Sequence, residues 1–388
     1  MLQTDFKPIT SRQRIPIIDI LRGWALLGVV VMNYADFYLL GLDSHAKPNG
    51  AYDLLMTVAN FLFASKSWTL LSFLFGYGFS VIMQQSKVKN VNGNIFFLKR
   101  MFWLFVLAFI DSAFFFGDIL KDYAFLGIVL LLFSNCNAKI SLYISGIIFL
   151  IIPAVTGLVT LLFGDIGMSV LSPYLHLYKG HSILNVFWFG LISTWKGQMI
   201  NLNCTGTVHT VMFCCFLLGQ AAQKADFFEK MDQNKPVIKK IWLASLFLIV
   251  IAVTLNITVA KPAFITNYFN PDYWEVLFVM IFTATSISLL YIAGRFKSFF
   301  TSLQAIGKMT LTNYMAQNFI SIFLFSGFGL GLALSYRLQL PYYYLLGLVI
   351  YVLQVYFSKW WLSKFYYGPV EWVWRQLSYG KRLTIKIK

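Results

Sequence analysis

Charge is scarce in this chain. Asp, Glu, Lys and Arg make up 12% of its 388 residues, against 59% apolar ones, and the mean hydropathy is +0.69. A soluble globular chain carries about a quarter charged residues, so a large soluble protein is excluded. Alternating segments of about ten residues are also missing, which excludes an outer-membrane barrel. The four cysteines, Cys136, Cys204, Cys214 and Cys215, show neither metal-ligand spacing nor a disulfide framework. Of the four histidines, His45, His176, His181 and His209, none stands at helical spacing from a carboxylate, so no metal site is expected. A Gly-x-Ser-x-Gly elbow, a P-loop and a dinucleotide fingerprint are all absent. No cleavable signal peptide is expected, because the first apolar run is too long and no small-residue cleavage site follows it.

What is present is a series of apolar runs of about twenty residues, the length that crosses a bilayer as a helix. They lie near 17–40, 67–84, 96–116, 122–134, 140–163, 207–223, 241–260, 274–293, 310–334 and 342–363. The expected fold is therefore all-α: a polytopic transmembrane bundle of about ten spans, forming a single domain over 1–388. Two further stretches, 54–66 and 184–200, are apolar but interrupted, and read as interfacial or re-entrant helices. The formal charge of +16 does not call for nucleic acid. With the N-terminus inside, 23 of the 31 Lys and Arg fall in inner segments, while Lys47, Lys121, Lys179, Lys261 and Arg337 lie in outer loops. That is the positive-inside distribution of a multi-pass protein of the cytoplasmic membrane, and it places both termini in the cytoplasm. Tyr342 to Tyr344 and Trp360, Trp361, Tyr366 and Tyr367 form an interfacial aromatic belt, and the basic tail 377–388 is expected to lie on anionic lipid headgroups.

Polar groups inside such spans are costly and mark the places where function is expected. Asp19 and Arg22 stand three apart at the mouth of the first span, on one helical face. Arg22 either snorkels to the inner headgroups with Asp19 as counter-ion, or faces the bundle and binds an anionic group such as a phosphate. Asn33 and Asp36 follow on the same helix. Lys66 precedes Leu74-Phe75-Gly76-Tyr77-Gly78, whose glycines read as packing positions. Asp111 lies within the third span, and Asp118, Lys121, Asp122 and Tyr123 follow it at the expected outer face. Asp118 is equally well read as a helix N-cap. Thr312, Asn313 and Gln317 put polar groups into the ninth span. Glu371 and Arg375 stand four apart, in the order that favours a helical ion pair, on a segment read as an amphipathic helix at the inner surface.

Five motifs in order resemble the YeiB-like family of multi-pass bacterial membrane proteins. They are Asp19-Ile-Leu-Arg22-Gly23 with Asn33, Leu74-Phe75-Gly76-Tyr-Gly78, Gly117-Asp118-Ile119-Leu120 with Tyr123, Leu311-Thr312-Asn313-Tyr314, and Gly368-Pro369-Val370-Glu371-Trp372 with Arg375. They divide the chain into N-terminal helices, 17–163, and a C-terminal YeiB-like region, 207–376. The resemblance implies kinship with integral-membrane acyltransferases, which move acyl groups onto extracytoplasmic acceptors. Those relatives often carry His ten residues after the Arg-Gly glycine, where this chain has Asn33, and YeiB-like chains often carry His where it has Asp111.

Two functions follow as expectations. The first is acyl transfer from an acyl-CoA-like co-substrate, with no permanently bound cofactor, to an acceptor outside. Asp111, Asn33 and Asp118 would then be catalytic, and Asp19, Arg22, Lys66, Tyr123, Asn313 and Gln317 would bind substrate. The second is transport or lipid handling without covalent chemistry, with Asp19, Arg22, Lys66 and Asp111 along a pathway. Membrane lipids are the expected surroundings in either case, and the oligomeric state is left open.

Overall fold

In the computed structural model, residues 14–40, 53–164, 171, 173–258, 269, 271–329 and 338–387 are described. Every expected apolar run contains a helix. The order is α1 (Pro16–Leu39), α2 (Asp53–Leu62), α3 (Lys66–Val88), α4 (Gly93–Ser112), α5 (Leu120–Leu130), α6 (Ala138–Phe163), α7 (Leu175–Lys179) and α8 (Ile183–Ile192). It continues with α9 (Leu202–Lys224), α10 (Met231–Thr258), α11 (Asp272–Ile292), α12 (Lys297–Lys308), α13 (Thr310–Phe325), α14 (Leu340–Leu362) and α15 (Pro369–Tyr379). Local chemistry sets several starts. Pro16 and Pro369 occupy first-turn positions, where a missing N–H costs nothing. Asn92, Asn137 and Asn201 cap α4, α6 and α9 with side-chain oxygens that accept first-turn amides.

Eight helices are long and apolar enough to cross a membrane among the described residues. The chain is an all-α, multi-pass membrane bundle. Rows of large apolar side chains face outward, such as Phe102, Phe105 and Phe109 on α4 and Leu345, Val349 and Val352 on α14. Water would penalise such a surface, whereas lipid does not.

The other two expected spans are shorter. α5 has 11 residues and α13 has 16, or roughly 16 and 24 Å against a hydrocarbon thickness of about 30 Å. Both are packed inside the bundle, which spares them a full lipid crossing. The interrupted stretch 54–66 holds the short helix α2. The stretch 184–200 holds α8 and the π-helical turn Ser193–Met199; neither piece is long enough to span alone. Lys121, expected in an outer loop, is 4% exposed, because the chain around it turns into the bundle and supplies it with partners. His45, Lys47, Lys261 and Arg337 lie outside the described residues.

α1 is the axis of the bundle: 72% of its apolar window is buried, against 17% for the peripheral α10. Two glycines bring it against α12. A Cβ on Gly23 would collide with the backbone of Leu303, and one on Gly307 with the backbone of Asp19. Near the other end of α1, Phe37 stacks on Phe325 at 4.3 Å and meets Phe116 edge-on at 5.3 Å, closing the core with rings. Gly307→Leu is therefore expected to destabilise the protein by about 3 kcal/mol through overpacking. Gly146→Ala, where nothing lies within 4 Å of an added methyl, should stabilise α6 by up to about 1 kcal/mol. Melting of the two variants in detergent checks both signs.

Candidate functional site

The first turns of α1 open onto a cavity of about 320 Å³. Asp19 is the hub of its mouth: Arg22 Nη1 stands 3.1 Å from Asp19 Oδ1, and Arg14 Nη1 3.7 Å from Oδ2. Arg22 lies over Gly78, where a methyl would sit 3.6 Å from its Nη2. Arg100 from α4 and Arg375 from α15 complete a ring of four guanidinium groups, with Lys308 beside them. Among the described residues neither Arg100 nor Arg375 is in an ion pair. They lie instead over aromatic rings: Arg100 is 3.6 Å from the centroid of Trp374, and Arg375 is 4.7 Å from that of Tyr367. Burial, and then the charge of Arg14, lower the Arg375 pKa from its ordinary value. Guanidinium is basic enough to remain charged nonetheless.

The expected Glu371–Arg375 pair does not form among the described residues. Glu371 turns away and its carboxylate caps α13, accepting from Leu311 N at 2.7 Å, Thr312 N at 3.0 Å and the Thr312 hydroxyl. Four orphan amides and a helix dipole make that end a better partner than a guanidinium on the same helix. α15 is thereby docked beneath the bundle, and Trp374 Nε1 donates to the Arg100 carbonyl at 3.0 Å.

Beyond the cations the cavity turns apolar, lined by Leu71, Leu74, Phe75, Met101 and Leu104. It ends at Tyr123 and Tyr314. The Tyr123 hydroxyl donates to the Trp68 carbonyl at 3.0 Å, and that of Tyr314 to Asp118 Oδ1 at 3.3 Å. The same Asp118 oxygen accepts from Leu120 N at 3.1 Å, one residue ahead of the Ile119 N-cap of α5, so Asp118 steadies the start of the helix without being its cap. Asp111 lies one layer further in, fully buried, and accepts from Asn318 Nδ2 at 2.7 Å.

Of the candidate catalytic and binding residues read from sequence, Asp19, Arg22 and Tyr123 line this cavity, as do Glu371 and Arg375 of the expected amphipathic helix, and Asp118 touches a lining residue. The others lie elsewhere. Asn313 Nδ2 donates to Ser358 Oγ at 2.9 Å, joining α13 to α14. Gln317 is fully buried, and its backbone carbonyl, not its side-chain amide, accepts the Tyr34 hydroxyl at 3.1 Å. Lys66 donates to the Asn60 carbonyl at 3.0 Å, with Glu275 at 3.9 Å. Asn33 is half-buried and is not among the lining residues.

The sequence also concealed a second polar group. His209 Nε2 stands 3.0 Å from Asp122 Oδ1, and Lys121 Nζ 3.2 Å from Asp122 Oδ2. The partners are 87 residues apart, so no helical spacing could reveal them. Arg100 was hidden differently, because it looked like one more inner-loop charge. His176 and His181 are bonded to backbone carbonyls, at 2.9 Å to Pro173 and 2.8 Å to Gly327.

Comparison with known proteins fits these features. Residues 222–381 match the family described as "Protein of unknown function (DUF418)". Over 400 residues and 97% of both chains, the protein is 27% identical to "Uncharacterized protein YxaH" of Bacillus subtilis (strain 168). It is 26% identical to "Uncharacterized protein YeiB" of Escherichia coli (strain K12), over 93% of this chain and 95% of that one. The chain is thus similar to YeiB and YxaH over nearly its whole length, and to that family over its C-terminal part. No solved structure matches it. The family match begins within α9 and takes in Lys308, Tyr314, Glu371 and Arg375, so YeiB-like sequence supplies the α13–α15 side of the cavity.

Glu371→Ala is expected to cost about 2–4 kcal/mol, from an emptied helix cap and lost charge-assisted bonds. Burial raises the Glu371 pKa from its ordinary 4.5 despite those bonds. A raised folded pKa means that the folded state holds its proton longer than the unfolded one. Stability of the wild type relative to Glu371→Gln should therefore fall as pH rises through the range just above 4.5 and then level off. Melting both proteins across pH tests the sign.

Proposed function

We propose that this YeiB-like protein is a membrane acyltransferase of the cytoplasmic membrane that takes its acyl group from an acyl-CoA-like donor on the inner side. The observation that carries the reading is the order of surfaces in the cavity. Four guanidinium groups, two of them paired with Asp19, lead into an apolar interior that ends at a tyrosine bonded to a buried carboxylate. That order matches an amphiphile whose anionic end sits among arginines and whose acyl end reaches inward. Arg suits phosphate because its planar fork donates two bonds at once.

In this reading Arg22, Arg100 and Arg375 hold the anionic part of the donor. Asp118, through or beside Tyr314, takes the proton of the acceptor hydroxyl as the oxygen–acyl bond forms and the carbon–sulfur bond breaks. The thiolate leaves toward the inner side and takes up a proton there. Asp111, held by Asn318, backs this carboxylate. Asn33 stands outside the chemistry in this arrangement. The acceptor comes from the extracytoplasmic side.

A second reading, transport or lipid handling without covalent chemistry, is favoured by one feature: the buried Lys121–Asp122–His209 cluster is the kind of intramembrane group that ion coupling uses.

Thermal shift of the full-length protein in detergent separates the two. Palmitoyl-CoA or acetyl-CoA should stabilise it saturably, by about 2.7 kcal/mol at a hundredfold excess over Kd. Arg22→Ala should weaken binding at least about tenfold, the worth of one charge-assisted contact. Asp118→Asn should keep binding and abolish release of free CoA. Absence of any stabilisation by either thioester would overturn the enzyme reading in favour of transport.

A further inference from the structure

On the other side of the first turn of α1 lies a second cavity, of about 800 Å³, which the proposed chemistry leaves unused. Its floor is apolar, formed by Ile17, Ile20, Met231 and the rings of Phe228 and Phe300. Tyr291 stands at its edge, 6.0 Å from Phe300 and steeply inclined to it. The rim is ionic, with Arg14, Arg295 and Lys297 facing Glu229 and Asp232. Among the described residues Arg295 and Lys297 form no ion pair. Both are exposed.

The two cavities are neighbours. Arg14 and Ile15 line both of them. Elsewhere the partition is one pair of rings thick: Tyr77, lining the first, meets Phe228, lining the second, edge-on at 5.7 Å. Around the start of α1 the surfaces therefore run in a fixed order. An apolar interior comes first, then arginines, then an aromatic-floored cleft with a cationic rim.

We infer that the second cavity is a nucleotide subsite, holding the adenosine 3′-phosphate end of the same acyl-CoA donor. The inference rests on the donor reading above and deepens it. A purine needs a flat apolar surface, which the Phe228–Phe300 floor provides, and its exocyclic amine needs an acceptor, which Glu229 or Asp232 provides. The 3′-phosphate lies against Arg295 and Lys297, and the diphosphate lies between Arg14, shared by both cavities, and Arg22, Arg100 and Arg375 of the first. The pantetheine and acyl parts then pass into the first cavity. A lipid with a single anionic headgroup matches the first cavity but gives the second nothing to bind.

The experiment compares ligands on the wild-type, full-length protein in lipid nanodiscs, so it does not depend on a variant folding. Palmitoyl-CoA is measured against S-palmitoyl-4′-phosphopantetheine, which keeps the thioester and a phosphate for the arginines of the first cavity and lacks the nucleotide, with adenosine 3′,5′-diphosphate as competitor. Palmitoyl-CoA should bind at least tenfold more tightly than the truncated thioester, and the diphosphate should displace it. The surface double variant Arg295→Ala/Lys297→Ala should erase that difference and leave the affinity for S-palmitoyl-4′-phosphopantetheine within twofold. Equal binding of the two thioesters, still weakened by Arg22→Ala, would overturn the subsite and leave the donor reading standing. Binding of the diphosphate beside palmitoyl-CoA without displacement would also overturn it, since the cleft would then serve a separate nucleotide. Failure of both thioesters to bind would remove the donor reading and this assignment together.

Discussion

The backbone contact between α1 and α12 at Gly23 and Gly307 is the constraint from which the inner half of the molecule follows. With side chains at either position the two helices would stand a methyl group or more apart, and α1 could not carry Asp19 and Arg22 where it does. The approach fixes which face of α1 is closed against protein and which remains open. One open side, with Asp19 and Arg22, looks into the first cavity; the other, with Ile17 and Ile20, looks into the second. Two small residues thus decide where the most expensive charges of the first span come to rest.

Charge is then distributed unequally along the bundle. Toward the other end the cations are answered locally: Lys121 by Asp122, and Lys66 by Glu275 and a carbonyl. At the inner mouth Asp19 serves both Arg14 and Arg22, while the nearby Glu371 is spent on a helix cap. Arg100 and Arg375 are left to aromatic faces. A purely structural set of arginines gains nothing from this, because a desolvated cation without a counter-charge costs stability. Excess positive charge concentrated in one concave place is the property of an anion site, and it is why the acyl-donor reading rests on this end of the molecule.

The fold class was legible because composition and twenty-residue apolar runs leave few alternatives. The two short helices were not, since apolar run length cannot distinguish a lipid crossing from a segment enclosed by protein. The site was legible in part. Asp19 and Arg22 announced themselves through their three-residue spacing, and Asp118 through its motif. Arg100 did not, because the positive-inside pattern that fixes topology disguises any inner-face arginine that also has a chemical role, and Arg375 stood out only as a partner for Glu371, not as a cavity-lining cation. Lys66, Asn313 and Gln317 show the converse: a polar residue in a span is as readily bonded to a carbonyl, buried among helices or used to join two of them as exposed to a ligand.

The departures from the acyltransferase pattern now have a place in the structure. Asn33 lies on α1 away from the cavity lining, so the loss of a histidine there removes nothing that the cavity itself presents. Asp111 stands directly behind Asp118, within reach of the same helix through Asn318. A histidine at 111 would set an imidazole behind Asp118, where this chain sets a second buried carboxyl group held by Asn318. On the acyl-transfer reading that changes which group accepts the acceptor's proton without abolishing the means to accept it. An imidazole–carboxylate pair among the described residues, His209 with Asp122, is linked to the cavity floor only through Lys121, which pairs with Asp122 and donates to the Asp118 carbonyl. On the acyl-transfer reading the groups nearest the acyl end are therefore the Asp118 carboxyl and the Tyr314 phenol, with the Lys121 ammonium behind them.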